Sequence, residues 1–377
     1  MKANPLKYVA TLGQSLWLDY IRQDLIAGGG LRRLIEEDGL RGMTSNPAIF
    51  EKAIAESHDY DEDIRAMALE GKGTGDIYEV LSQRDVQGAA DEFRPLYDRT
   101  EGQDGYVSLE VNPHLAHDTK GTIEEARRLW AALNRPNVLI KVPATAEGLP
   151  AIQQPISEGI SVNVTLLFGL PRYRQVAEAY IAGLEARAVQ GRPVKHVASV
   201  ASFFLSRIDV LVDPLLGKIV AQGGKKAELA KKARGQVAIA SAKMAYQIYK
   251  EIFLSDRFRK LAAQGARVQR LLWASTGTKN PDYSDVKYIE SLIGADTVST
   301  VPVETLDAYR DHGAPKSSLE TDVAEAASVL KCLADIGISI DKVTQQLEDE
   351  GITKFNQPFD KLMQALVQRA SPHLTRE

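Results

Sequence analysis

Short apolar runs alternate with long stretches of helical periodicity along most of this chain. Eight runs read as strands: SLWLDY, GLRGMTS, YVSLEV, VLIKVP, ISVNVTLLF, HVASVASFF, RLLWAST and DTVSTVP. Near-continuous apolar runs of this length suit strands buried on both faces of a parallel sheet. The segments between them are rich in Ala, Glu, Arg, Leu and Lys at helical spacing. In one of them, TIEEARRLWAALN, Thr122 is followed three residues later by Glu125, the spacing of a capping box that opens a helix. Strands that alternate with helices predict an α/β fold with a parallel sheet covered by helices. Fewer strands would suit an open doubly wound sheet, but eight close a (β/α)8 barrel, and the barrel is the expectation here.

Two regions exceed what a barrel needs. Residues 50–104 read as extra helices inserted after the second strand, and residues 313–377 as a helical extension that packs across the barrel. The chain is therefore expected to be a single barrel domain, 1–377, carrying these additions. No internal repeat or low-complexity linker interrupts it. The basic stretch QGGKKAELAKKARG reads as the solvated start of a helix.

Composition narrows the function classes. With 377 residues, 44% of them hydrophobic, the chain can fill a barrel of about 250 residues and its additions. Lys and Arg number 46 against 50 Asp and Glu, a formal net charge of -4. That balance gives no bulk attraction to nucleic acid or to an anionic membrane, and leaves room for a local basic pocket for a small anion. The single cysteine, Cys332, excludes a disulfide framework, suggests a reducing compartment, and reads as a small core residue. The opening MKANPLKYVA lacks the apolar centre of a secretory signal, and no apolar run approaches the roughly 20 residues that span a bilayer. A cytoplasmic protein is expected, with no nucleic-acid or membrane partner, as a monomer or a homodimer.

In a barrel, chemistry gathers where the strands end. Read in order, the ends offer Asp19, then Thr44 and Asn46 in TSNP, then Glu110, Lys141, Asn163 with Thr165, Ser202 with Arg207 beyond it, and Ser275 with Lys279. Lys141 stands in the middle of VLIKVP, where a buried ammonium is costly. Each feature has a bland reading by itself. A strand lysine often snorkels from an edge; Asp19 suits a cap for IRQDLIAG; Asn46-Pro47 is a turn signal. Their joint occurrence, strand by strand, points instead to a Schiff-base lysine. A lysine that attacks a ketone at neutral pH must be partly unprotonated, and moving a lysine from about 10.4 to near 7 takes roughly 4.6 kcal/mol. Desolvation in an apolar barrel can supply this, while neighbouring carboxylates oppose it unless they stand off or are protonated.

The motifs GMTSNPAIF, VSLEVNP, NVLIKVPATAEGLPAI, GISVNVTLLF, VASFFLSRID and WASTGTKNPDYSD occur in order from about residue 12 to 310. Together they resemble the transaldolase family of Schiff-base enzymes, and within it a bacterial subgroup that also occurs fused to phosphoglucose isomerase. The resemblance implies a (β/α)8 barrel without metal or organic cofactor. It implies the transfer of a dihydroxyacetone unit from sedoheptulose 7-phosphate to glyceraldehyde 3-phosphate in the pentose phosphate pathway, giving erythrose 4-phosphate and fructose 6-phosphate. Small sugar phosphates are thus the implied partners. By motif, Lys141 would be the Schiff-base lysine, and Asp19 would exchange a proton with the C4 hydroxyl. Glu110 and Thr165 would position a catalytic water. Asn46 and Asn163 would hold the dihydroxyacetone hydroxyls, with Thr44 and Ser202 nearby. Arg207 and Ser275 would bind phosphate. Many members carry an arginine two residues after the serine; this chain has Gly277, and Lys279 is its candidate replacement. The apolar residues after Thr165, with Phe203 and Phe204, are expected to keep other water out.

Three other readings stay open at this point: an aldolase that releases free dihydroxyacetone from the same lysine, a non-catalytic sugar-phosphate-binding barrel, and a metal-dependent aldolase. The last would use His114, His117 and Asp118, which otherwise read as a surface loop.

Overall fold

A computed structural model describes residues 4–374, without the side chains beyond residue 370. The outermost residues of the expected 1–377 unit, 1–3 and 375–377, lie outside the described residues. Eight parallel strands close a barrel in sequence order: β1 (Gln14–Asp19), β2 (Gly42–Thr44), β3 (Tyr106–Glu110), β4 (Val138–Pro143), β5 (Val162–Leu167), β6 (Ser199–Phe204), β7 (Arg270–Ala274) and β8 (Thr297–Val301). Every expected strand is present. β4 coincides with VLIKVP, while the run GLRGMTS contributes only three residues. The short β2 must pass the Trp17 ring, and a Cβ on Gly42 would lie 2.5 Å from that ring, so the position needs glycine.

The strands are buried along nearly their whole length, as their apolar runs require. Trp17 and Trp273 are fully buried. Register places Glu110 beside Lys141, and Lys141 beside Asn163. The β5–β6 register shifts between Val164 and Leu167, and Leu166 in that bulge takes φ +55°. The extra residue re-aims the strand end just after Thr165.

The insert forms the helix Pro47–Phe50, a π-helical turn Glu51–Ala55, and the helices Asp61–Leu69 and Thr74–Arg99. The extension forms the helices Val323–Ile336 and Ile340–Leu374. Arg369, near the end of that last helix, donates to the carbonyls of Ile54, Ala55 and Ser57. The insert is thus the platform on which the final helix rests, and that helix carries Phe355 over the barrel mouth, where its ring lies 5.8 Å from Lys141 Nζ. Among the described residues, no helix is long and apolar enough to cross a membrane.

The capping box expected at Thr122 is not formed. The helix begins at Thr119 with Asp118 as its cap, accepting from Gly121 N at 2.9 Å. Thr122 donates to Leu115 O, and Glu125 accepts from Asn112 N in the loop after β3. An aspartate cap four residues upstream satisfies the helix start and frees Glu125 for the neighbouring loop. Cys332 is half-buried and donates to Leu229 O, and burial pushes its thiol up.

Candidate active site

A cavity of about 240 Å³ opens at the C-terminal end of the barrel. Asp19, Thr44, Asn46, Lys141, Thr165, Ser202, Arg207, Ser275 and Lys279 all line it. The two remaining sequence candidates sit behind its wall. Glu110 touches Lys141 from the neighbouring strand. Asn163 is fully buried, donates to Ser108 Oγ at 3.0 Å and accepts from Ser202 Oγ at 2.6 Å.

Lys141 is 5% exposed, and its Nζ reaches the cavity from the middle of β4. It donates to the Ser45 carbonyl at 2.9 Å and lies 3.1 Å from Glu110 Oε2. The carboxylate does not stand off, which leaves protonation as the way to spare the lysine its pull. The ion pair is poorly directed, however, and neither Glu110 oxygen has a hydrogen-bond partner. Burial pushes the Glu110 carboxyl up against the opposing pull of Lys141, which favours the protonated branch.

Asp19 ends β1. Burial raises its carboxyl most, opposed by the Thr44 hydrogen bond and by Lys141. Thr44 Oγ1 donates to Asp19 Oδ1 at 2.7 Å and lies 2.7 Å from Thr300 Oγ1. Thr44 therefore aims Asp19. The helix-cap reading of Asp19 does not hold: the helix Gln23–Ala27 has Arg22 at its N-cap and no side-chain cap bond. Asn46 does cap Pro47–Phe50, its Oδ1 accepting from Ile49 N, which leaves its NH2 as the group free to donate. The Thr165 hydroxyl is buried without a partner.

The opposite side of the cavity is cationic. The Arg207 guanidinium lies 5.4 Å from the Phe204 ring and 5.8 Å from the Phe355 ring, and its Nη1 is buried without a partner. Among the described residues it makes no ion pair. Arg207 stands in the first turn of the helix Ser206–Gln222, where the helix dipole also favours an anion. Ser275 takes φ +54°, and its Oγ lies 2.8 Å from Ser206 Oγ. Such a backbone at a non-glycine strand end is a local strain of the kind found at ligand sites. A Cβ on Gly277 would lie 3.7 Å from Lys279 Nζ, so that ammonium occupies the space beside the missing side chain.

Thr300 and Glu304 also line the cavity, as do Lys354 and Phe355 from the final helix. The first two follow from extending the strand-end reading to the eighth strand, DTVSTVP. No local pattern marks the last two. Phe203 turns away from the cavity and packs edge-on against Trp273, so the aromatic shield consists of Phe204 and Phe355. His114 and His117 face separate carboxylates, Asp360 at 2.7 Å and Glu147 at 3.1 Å.

The fold and its mouth define a closed (β/α)8 barrel in which a buried lysine and an unpaired arginine line one cavity. A family model described as transaldolase/fructose-6-phosphate aldolase matches residues 16–366, and the chain belongs to that family. It is 50% identical to "Transaldolase 2" of a Nostoc species, covering 97% of each chain. It is also 50% identical to the transaldolase of Trichodesmium erythraeum, covering 98% of each. With the transaldolase of Thiobacillus denitrificans it shares 47% identity over 96% of this chain and 99% of that one.

Proposed function

We propose that the chain is a transaldolase that moves a dihydroxyacetone unit from sedoheptulose 7-phosphate to glyceraldehyde 3-phosphate, a cytoplasmic step of the pentose phosphate pathway. The observation that carries this reading is the nearly buried Lys141 Nζ in a cavity that also holds Asp19 and the unpaired Arg207. The Lys141 amine adds to the ketose carbonyl, and loss of water leaves an iminium. Asp19 takes the C4 hydroxyl proton as the C3–C4 bond breaks, and the bond's electrons pass into the iminium to give an enamine. The aldehyde departs, the acceptor aldehyde enters, and the enamine attacks it while Asp19 returns the proton. Glu110 and Thr165 hold the water of condensation and hydrolysis, a reading supported by their buried oxygens without partners. Asn46 and Asn163 hold the hydroxyls of the transferred unit. Arg207, Ser275, Lys279 and Lys354 bind the phosphate, for which a guanidinium fork is well suited.

Transfer requires the enamine to outlast the departure of the first aldehyde. Phe204 and Phe355 lean over the cavity and limit water there. All the groups come from one chain, so the reading holds for a monomer or a homodimer. The test supplies sedoheptulose 7-phosphate with and without glyceraldehyde 3-phosphate. Erythrose 4-phosphate and fructose 6-phosphate should form together only when the acceptor is present. Steady release of free dihydroxyacetone without acceptor would mark an aldolase instead.

A further inference from the structure

Glu110 lines a second cavity, of about 100 Å³, distinct from the substrate cavity. Its other walls include Gly75, Tyr78, Glu79 and Ser82 of the helix Thr74–Arg99, and Glu125 and Leu129 of the helix Thr119–Leu133. At about 30 Å³ per molecule, the space suits roughly three waters. Leu109, Phe359 and Met363 complete a lining that is part polar and part apolar, in which Glu110, Glu79, Glu125 and Ser82 offer a water several hydrogen-bond partners. Glu110 is only 7% exposed, and neither carboxylate oxygen has a hydrogen-bond partner. The far end reaches the surface, since Gly75 is exposed and Glu79 is half-exposed. There Arg128 bridges Glu79 at 2.6 Å and Glu125 at 3.2 Å.

We infer that this chamber is the water route of the lysine chemistry. Water expelled as Lys141 condenses with a ketose passes Glu110 into the chamber and leaves at its exposed Gly75 side, and the water of hydrolysis returns the same way. The route rests on the Schiff-base reading. Its need is geometric: a sugar phosphate reaching from Lys141 to Arg207 would stand in the 240 Å³ cavity that Phe355 also lines, while condensation still has to release a water and product release has to consume one. The step balances. The amine nitrogen bonds to C2, and one nitrogen proton passes to the carbonyl oxygen to give the carbinolamine. Protonated Glu110 then donates to that hydroxyl, the C2–O bond breaks, water leaves, and iminium and carboxylate remain.

The test uses the full enzyme and fructose 6-phosphate labelled with oxygen-18 at C2. Each condensation whose water escapes washes the label into solvent, while a water that cannot escape is returned. Label loss per imine formed is measured, with imine formation read by borohydride trapping in parallel. Two variants fill the chamber: Ser82→Leu, which suits a helix interior, and Leu129→Phe. The expected result is a severalfold fall in label loss per imine in either folded variant, with the trapped fraction at equilibrium kept at the wild-type level. Wild-type label loss per imine in both folded variants would overturn the route and assign the exit to the front cavity. Absence of trapping in the wild type is a different result and would instead remove the Schiff-base reading on which the route rests.

Discussion

The two ends of the barrel bury the same kinds of charge to the same depth and treat them in opposite ways. At the N-terminal end, Asp104 and Arg270 are 4% and 7% exposed. Asp104 accepts from Ser15 Oγ at 2.5 Å, Arg41 Nη1 at 2.8 Å and Arg270 Nη1 at 3.2 Å. Arg270 Nη2 donates to Ser15 Oγ and to Thr297 O, both at 2.7 Å, leaving only its Nε unpaired. At the C-terminal end, Glu110 and Lys141 are buried as deeply, yet both Glu110 oxygens and Arg207 Nη1 lack partners. Burial depth therefore does not separate the two ends. The carboxylates do: Asp104 accepts three side-chain hydrogen bonds and Glu110 none, although Arg41 Nε and Arg270 Nε are also unpaired at the N-terminal end. A paired network ties strand ends together, while an unpaired one keeps its polar capacity for a ligand.

Removing charges at each end should break this contrast into two distinct phenotypes. Lys141→Met is expected to cost about 10⁴-fold or more in transfer rate, the scale of losing a nucleophile. Its unfolding free energy should stay within about 1 kcal/mol of wild type, since the swap roughly conserves volume and burial already favours the neutral form of Glu110. Denaturant melts beside the coupled assay read both quantities. Asp104→Ala should show the reverse: a loss of about 3–5 kcal/mol in stability, because Arg270 is left buried and unpaired, with kcat of the folded fraction unchanged.

A buried carboxyl with one strong partner sharpens the comparison. Asp85 accepts from Tyr60 Oη at 2.6 Å, and burial pushes it up to about 6 from an ordinary 3.8. Because the folded state holds the proton more tightly, this contribution to stability is whole below pH about 4 and is lost as pH rises through about 6. Asp85→Asn lacks that loss. Relative to wild type, the variant should gain up to about 3 kcal/mol between pH 4 and 7.5, measured as the pH dependence of unfolding midpoints.

Arg207→Ala should raise KM for phosphorylated donors about 10–100-fold, the scale of one or two charge-assisted contacts, and should matter much less for an unphosphorylated sugar. An equal effect on both would place the phosphate elsewhere. The smallest expected change is at Lys354, which is exposed and already paired with Glu350 at 2.9 Å. Lys354→Ala should raise KM about 2–5-fold, and added salt should erase most of the difference.

The barrel and most of its mouth were legible because each strand announces itself by an apolar run, and a polar residue at the end of such a run stands out. Lys141 is the clearest case. Asp19 was equally visible, but its local surroundings also suited a helix cap, and it takes the Arg22 N-cap of the next helix and the Thr44 bond to decide between the two. Glu304 lay within reach of the same reasoning, one strand further on. Lys354 and Phe355 did not. They sit on an amphipathic helix whose sequence shows which positions are polar and not what the helix crosses, and that crossing is set by distant contacts such as Arg369 with the Ile54–Ser57 carbonyls. Phe203 and Phe204 show the opposite limit. Neighbours on a strand face opposite ways, and the sequence alone does not say which of the two faces the cavity.

The central claim is that Lys141 carries the transferred unit. It is tested most directly by incubating the enzyme with fructose 6-phosphate, reducing with borohydride, and mapping the added mass by peptide sequencing. A three-carbon adduct on Lys141 is expected, dependent on the ketose and absent from Lys141→Met. An adduct on Lys279 or Lys354, or full transfer activity with no adduct at all, would contradict it.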